Sequence, residues 1–488
     1  MFSLILGLDI FLGDRLDYAN KVEFGISNMG LLLLGGAVLF LLFSLINREK
    51  QKLQMVELCI LGAVLFIIQQ YIIRHAYFLT GWDAGTVNNI ADVIAFGGRW
   101  DDFWTFYIQK YPNNVLLVCI FAAMKHIAAF LHYDPDAFLV WMNIIVIDFS
   151  VVLSGVVLCR IVNGKAWARC GLFLMVLLVG FSPWMMIPYS DTFSLPFPII
   201  TIFLYLRYKE TSIGSIVEIC LIPLIGMLIK PQCIILLIAI VLTELMENSH
   251  KIRVAALAKK TAIFVFCIGM TVVVSVVAHD ICGVQKDKDA QVSYTHYLMM
   301  GLNKNSDGSF SFEDNDITDS VYGYKEKRSK NWSVIRERIK DMGILGLCRH
   351  EGRKLLVNYN DGTFAYGKEG GFYNDVIDQE ADHSQWLRLV YRDDGKYFHI
   401  LAGILQSVWL TVLAVCLLGL VMNKDAISGY RMVLLLSLLG NMAFSILFEA
   451  RARYQLMFVP VYILFAISMM DEVHITAFAE KSKRRRNI

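Results

Sequence analysis

The 488-residue chain has no CxxC pair and carries charge on only 18% of its residues. Cys59, Cys119, Cys159, Cys170, Cys220, Cys233, Cys267 and Cys416 lie singly inside apolar runs, so neither a zinc cluster nor a dithiol redox site is indicated. Cys282 and Cys348 fall in a long polar stretch and would pair only if that stretch faces an oxidising compartment. A formal net charge of +2, with the basic residues confined to short loops, argues against a nucleic-acid partner. The opening MFSLILGLDIFLG lacks a basic segment and a small-residue cleavage site, so residues 1–13 read as a short span or an interfacial helix rather than a signal peptide. No internal repeat or low-complexity tract occurs.

What the chain does have is apolar length. Hydrophobic residues make up 56% of it, well outside the balance of a soluble domain. Runs near 29–47, 56–77, 114–131, 138–159, 169–187, 192–208, 213–229, 231–247, 261–279, 398–421, 430–448 and 453–471 approach or reach the roughly 17–25 residues that cross about 30 Å of hydrocarbon. Only helices satisfy their own backbone there, so the expected fold is an all-α polytopic membrane protein with one large integral domain. Basic clusters at 47–52, 159–169, 206–210, 250–260, 423–431 and 481–488 go to the cytoplasmic side, and the other connections go outside. Asp83 is then outside and Arg160 inside with two apolar runs between them, so one run fails to cross. Lys125 and His126 single out 114–131, which would dip in and return or lie in the interface. The chain divides into a membrane module 1–279 with outer loops 77–114 and 187–196, an extracellular region 280–397, and C-terminal helices with a basic tail, 398–488. In the extracellular region 303–319 reads as irregular and 333–356 as an amphipathic helix.

The outer connections gather the polar chemistry. Asp83, in GWDAG beside Trp82, either caps a helix starting near Ala84 or stands as an open carboxylate where apolar walls meet water; such walls raise a carboxyl pKa toward general-base range. Asp191, in PYSDT between Pro188 and Pro196, faces the same choice, with Thr192 assisting a cap. Two such acids can divide labour, one as base and the other on a sugar hydroxyl or a divalent metal, Mg or Mn. Lys230, in IKPQ, either snorkels to lipid phosphates or meets an anionic ligand. Arg451 and Arg453 stand outside against the positive-inside bias, which suggests a phosphate, unless Glu449 simply pairs with them. His296 reads first as a surface histidine and second as a catalytic or phosphate contact; Asp361 with Gly362 reads first as a turn and second as an acceptor contact. Asp148, in mid-span, is either an ion or proton relay of a transporter or a structural bond to another helix.

The ordered set GWDAG, YPNN, PYSDT, KPQ and EARARYQLMFVP, from about Trp82 to Pro460, resembles the glycosyltransferase C superfamily, and within it the membrane glycosyltransferases of Gram-positive cell envelopes. The resemblance implies a bundle of about 11–13 transmembrane helices with outer-face interfacial helices and one long extracellular loop. It implies a sugar donor linked to polyprenyl phosphate and a glycan, teichoic acid or lipid acceptor, joined on the extracytoplasmic face of the cell membrane. Asp83 matches the acid that acts as base on the acceptor, and Asp191 the acid that shapes the site. Lys230, Arg451 and Arg453 match the holders of the carrier phosphate. Trp82, Tyr111, Asn113, Tyr189, His296, Asp361 and Tyr454 are the candidate donor or acceptor contacts. No second acid adjoins Asp83, unlike the acid pairs of protein mannosyltransferases, which speaks against a protein acceptor.

Overall fold

The computed structural model describes residues 1–47, 53–209, 212–248, 254–369, 373–375, 385–423 and 427–486, with backbone alone at 248, 254–256, 373–375, 385 and 473–486. The molecule is 76% helical. The first helices are α1 (Phe2–Phe11), α2 (Asn28–Ile46), α3 (Met55–Ala76), α4 (Trp82–Phe96), α5 (Asp102–Lys110), α6 (Val115–Phe130) and α7 (Pro135–Ile161). They are followed by α8 (Lys165–Met175), α9 (Ser190–Phe193), α10 (Pro196–Tyr205), α11 (Ile213–Met227), α12 (Ile234–Asn248) and α13 (Val254–Cys282). The polar region 280–397 holds α14 (Tyr294–Gly301), α15 (Phe312–Asp319), α16 (Tyr324–Tyr359) and α17 (Gln385–Tyr391), and the chain closes with α18 (Phe398–Met422), α19 (Tyr430–Leu447), α20 (Arg453–Leu456) and α21 (Val459–Arg486). Among the described residues the one sheet is an antiparallel ladder of β1 (Phe78–Thr80) and β2 (Tyr373–Asp375), which ties the loop 77–114 to the region 280–397.

Seven of the twelve expected runs form helices long and apolar enough to cross a membrane, among them α2, α3, α7, α13, α18 and α19. The other five are broken or short. Run 169–187 ends α8 in a π-turn and then a 3-10 turn opened by Pro183; Pro196 restarts 192–208 as α10; α11 has 15 residues; Pro231 opens a 3-10 turn before α12; and 453–471 is split between α20 and α21. Proline at these points removes a backbone donor and fixes a new start. α1, at ten residues, is too short to cross and lies against α16 and α18 with Ile5 and Leu6 buried. The core centres on the first half of α21, where Val461 through Ile467 are wholly enclosed and packed on α18 and α19; a helix apolar all round must be surrounded.

Contacts fix which helix ends share a side. Tyr430 donates to the Ile161 carbonyl at 3.2 Å, Gly429 to Glu247, and Lys260 pairs with Glu244 at 2.8 Å. The end of α7, the end of α12 and the starts of α13 and α19 therefore meet on one side, with the basic segments 159–169 and 423–431. Of the basic clusters, residues 48–52, 210, 250–253, 424–426 and 487–488 lie outside the described residues.

Helix α6, with the preceding turn, is apolar and long enough to span. Cys119 reaches the Ala278 carbonyl near the end of α13, and Lys125 pairs with Asp136 in the first turn of α7. The ground for setting 114–131 apart needs correction. Lys125 is no unpaired charge: it is fully buried and held by Asp92 at 2.6 Å and Asp136 at 2.7 Å.

The open question of Cys282 and Cys348 is answered, and one further expectation is corrected. Cys282, buried at the end of α13, and Cys348, exposed on α16, are both free thiols. The stretch 303–319 is not wholly irregular, since α15 occupies its second half. The amphipathic helix is realised within α16, kinked at Gly343, whose φ of +59° suits a residue without Cβ.

Candidate functional site

Asp83 lies in the first turn of α4, whose N-cap is Gly81 and which has no side-chain cap, so its carboxylate is free for other work. The Tyr107 hydroxyl of α5 donates to it, and Asn114 donates to that hydroxyl at 2.8 Å. Burial pushes the Asp83 carboxyl up, opposed first by Arg453 and then by the Tyr107 hydrogen bond. Trp82 precedes it with φ +42°, a left-handed backbone that costs a bulky residue about 1–3 kcal/mol and marks functional sites.

Asp191 sits in the four-residue α9, capped instead by the reciprocal Tyr189–Thr192 pair. Its side chain is 1% exposed and forms an ion pair with Lys230, itself buried. Lys230 therefore does not snorkel. Burial pulls its ammonium down while Asp191 opposes that, and the Tyr454 ring lies 5.2 Å away.

Arg451 lies in the turn after α19, and Arg453 opens α20. Ala450 donates to Gly308 at 2.8 Å and Arg451 N to Asn358 at 3.0 Å, while Gly301 must be glycine because a Cβ there would meet the Phe448 carbonyl at 2.5 Å. Arg451 pairs with Glu449 at 3.3 Å, as the simpler reading held, and Glu449 also accepts from Tyr454 at 2.9 Å. Arg453 lies 3.9 Å from Asp191 and over the rings of Trp82, Tyr189 and Tyr454 at 5.1, 5.5 and 5.7 Å. Its Nε and Nη1 are buried without a hydrogen-bond partner. A buried guanidinium with unused donors on an aromatic floor is a ready anion site.

Asp83, Asp191, Lys230, Arg451, Arg453, Trp82, Tyr189 and Tyr454 thus form one cluster. Tyr111 borders it, its ring 5.2 Å from that of Tyr107 and within electrostatic reach of Asp83. Three candidates are engaged elsewhere. Asn113 bonds Asn114 and lines a separate cavity of about 430 Å³ with Gln109, His279 and Lys286. Asp361 is consumed by its own turn, accepting from Thr363 N, Thr363 Oγ1 and Ala365 N at 2.6–2.8 Å. His296 is no surface residue. It is buried against Thr318 at 2.8 Å, and burial, reinforced by Lys110, pushes its imidazole down to about 4, so it is neutral at pH 7.

Two members were not anticipated. Tyr107 had a signal, since its i,i+4 spacing to Tyr111 puts both rings on one helix face beside YPNN. Glu369 had none. It arrives from the turn after Phe364 and Ala365 and lies 3.7 Å from Arg451 and 3.6 Å from Arg453. This donor set does not fit a divalent metal, because Asp191 and Glu369 already face cations, and among the described residues no three His, Cys, Asp or Glu side chains are grouped to hold one.

A family model described as conserved hypothetical integral membrane protein matches residues 13–474. The chain belongs to that family. The match covers every residue of the cluster, and it makes the chain what its apolar helices implied, an all-α polytopic integral membrane protein. No curated protein matches the chain.

Proposed function

We propose that this membrane protein is an inverting glycosyltransferase that moves a sugar from a polyprenyl-phosphate carrier to the hydroxyl of a cell-envelope glycan, teichoic acid or lipid outside the cytoplasm. The observation that supports it most is Arg453, with unused guanidinium donors between Asp83 and Asp191. In the step, the acceptor oxygen bonds to the anomeric carbon as that carbon's bond to the phosphate oxygen breaks. Asp83 takes the acceptor proton, and the phosphate monoester leaves with the electron pair. Arg453 and Arg451 offset the charge that grows on it, which a dry, preorganised pair of cations does well. The Asp191–Lys230 pair holds the wall behind them. No second carboxylate stands in the short motif around Asp83 to act as nucleophile, so a single displacement with inversion follows. The lipid chain of the donor explains the membrane setting, with the acceptor arriving from water at the outer face of the cell membrane. The test is sugar transfer from a radiolabelled polyprenyl-phosphate donor by purified protein: Asp83→Asn should abolish it while the protein remains folded.

One observation favours a second reading, a flippase of lipid-linked sugars. Asp148, buried within α7, faces the Gln69 side chain and has no other polar partner for its carboxyl oxygens among the described residues. If Asp148→Asn stops lipid movement across vesicles and Asp83→Asn changes nothing, that reading replaces the first.

A further inference from the structure

We propose that Glu369 is an internal competitor for the donor phosphate: its carboxylate holds the anion position between Arg451 and Arg453 until the phosphate of the lipid carrier displaces it. This rests on the glycosyl-transfer reading of the site and adds how the site admits its donor and releases its product.

The geometry is that of a stand-in. Each carboxylate oxygen faces one guanidinium, Oε1 toward Arg451 at 3.7 Å and Oε2 toward Arg453 at 3.6 Å, as two oxygens of a bridging phosphate would. Yet these are ion-pair distances, longer than the roughly 2.7–2.9 Å of a charge-assisted hydrogen bond. Glu369 Oε1 and Arg453 Nε and Nη1 are buried with no hydrogen-bond partner. Charge is neutralised while hydrogen-bonding capacity is held in reserve. A carboxylate serving as a permanent tie would use those donors, because leaving them unmade in a buried place is costly.

The other acids of the cluster are fastened. Asp191 is locked to Lys230 on α9, and Glu449 accepts from Tyr454 while pairing with Arg451. Glu369 instead follows a turn, where Lys368 N bonds the Ala365 carbonyl at 3.0 Å, so it can swing without breaking a helix. The donor's phosphodiester, a monoanion with two free oxygens, takes the same two positions and uses the guanidinium donors that the carboxylate leaves unused. Transfer turns it into a monoester dianion with a third free oxygen, and the return of Glu369 to the arginines speeds its departure.

The experiment measures binding of inorganic phosphate and of farnesyl phosphate to the full-length protein in detergent, followed by the fluorescence of Trp82 beneath Arg453, with steady-state transfer in parallel. Glu369→Gln should tighten both phosphates on the order of tenfold, equivalent to about 1.4 kcal/mol, and should lower KM and kcat together as product release slows. Tightening of farnesyl phosphate alone would assign the effect to the lipid headgroup rather than to free phosphate and would still support displacement. Glu369→Asp, which keeps the charge but shortens its reach, should tighten binding less; if the Gln variant does not fold, this variant decides, and weaker binding by it overturns the proposal. Unchanged or weaker phosphate binding by a folded Glu369→Gln, with Arg453→Gln abolishing it, overturns the competitor role and leaves the transfer reading standing. Failure of the unmodified protein to bind either phosphate overturns both.

Discussion

Arg453 lies over the indole of Trp82, its guanidinium carbon 5.1 Å from the ring centroid, and Trp82 holds that position with a left-handed backbone. Trp82 also meets Tyr189 edge-on at 5.0 Å, so strain at one residue builds the floor on which the arginine rests.

Trp82→Ala removes that floor. A cation–π contact with a desolvated arginine is worth about 1–2 kcal/mol, so binding of a polyprenyl phosphate should weaken roughly 5- to 30-fold, while Trp82→Phe should lose only part of it. Titration of the purified variants checks this, and equal affinity in all three would remove the ring from the site.

The Asp191–Lys230 pair supplies a second outcome. Both groups are buried, so Asp191→Asn or Lys230→Met alone strands a charge and should cost about 3–5 kcal/mol, whereas the double variant should recover much of that. Thermal unfolding in detergent reads the comparison, and additive losses would mean that the two act independently.

Lys125 tests the account of α6 by the same measurement. Lys125→Met leaves Asp92 and Asp136 facing each other, and because those carboxylates are partly exposed the cost should be roughly 2 kcal/mol, short of that for a fully buried pair. Adding Asp136→Asn should restore part of the stability.

The proposed role of Asp83 as base sets a pH profile for transfer. The base must be ionised, and burial raises its pKa above 3.8, so activity should fall as pH drops through that raised value. Tyr107 donates to the ionised form, so Tyr107→Phe raises the pKa further and should move the acid limb to higher pH. A limb unmoved by the substitution would assign it to another group.

Much of this was legible in the chain. The long spans were, because an unbroken apolar run has one solution in lipid, and so were Asp83, Asp191 and Arg453, because charge at the lip of such a run stands out. The breaks in 169–187 and 453–471 were not, since run length hides a π-turn and a split helix end. Lys125 was misjudged because its partners lie 33 and 11 residues away, a juxtaposition that only packing creates. His296 was misjudged for a related reason. It belongs to the region 280–397, whose polar composition concealed a small core of Met299, Leu302 and Ile335. Glu369 lay beyond sequence reasoning, because no pattern in a polar loop says which acid the β1–β2 ladder and the turn before it bring to two arginines.

The most direct test of the central claim is transfer of labelled sugar from a polyprenyl-phosphate donor by purified protein, with Asp83→Asn and Arg453→Gln beside it. The account predicts transfer by the unmodified protein, loss of at least a hundredfold in rate for Asp83→Asn with donor binding retained, and loss of donor binding for Arg453→Gln. Full transfer by a folded Asp83→Asn protein would contradict it.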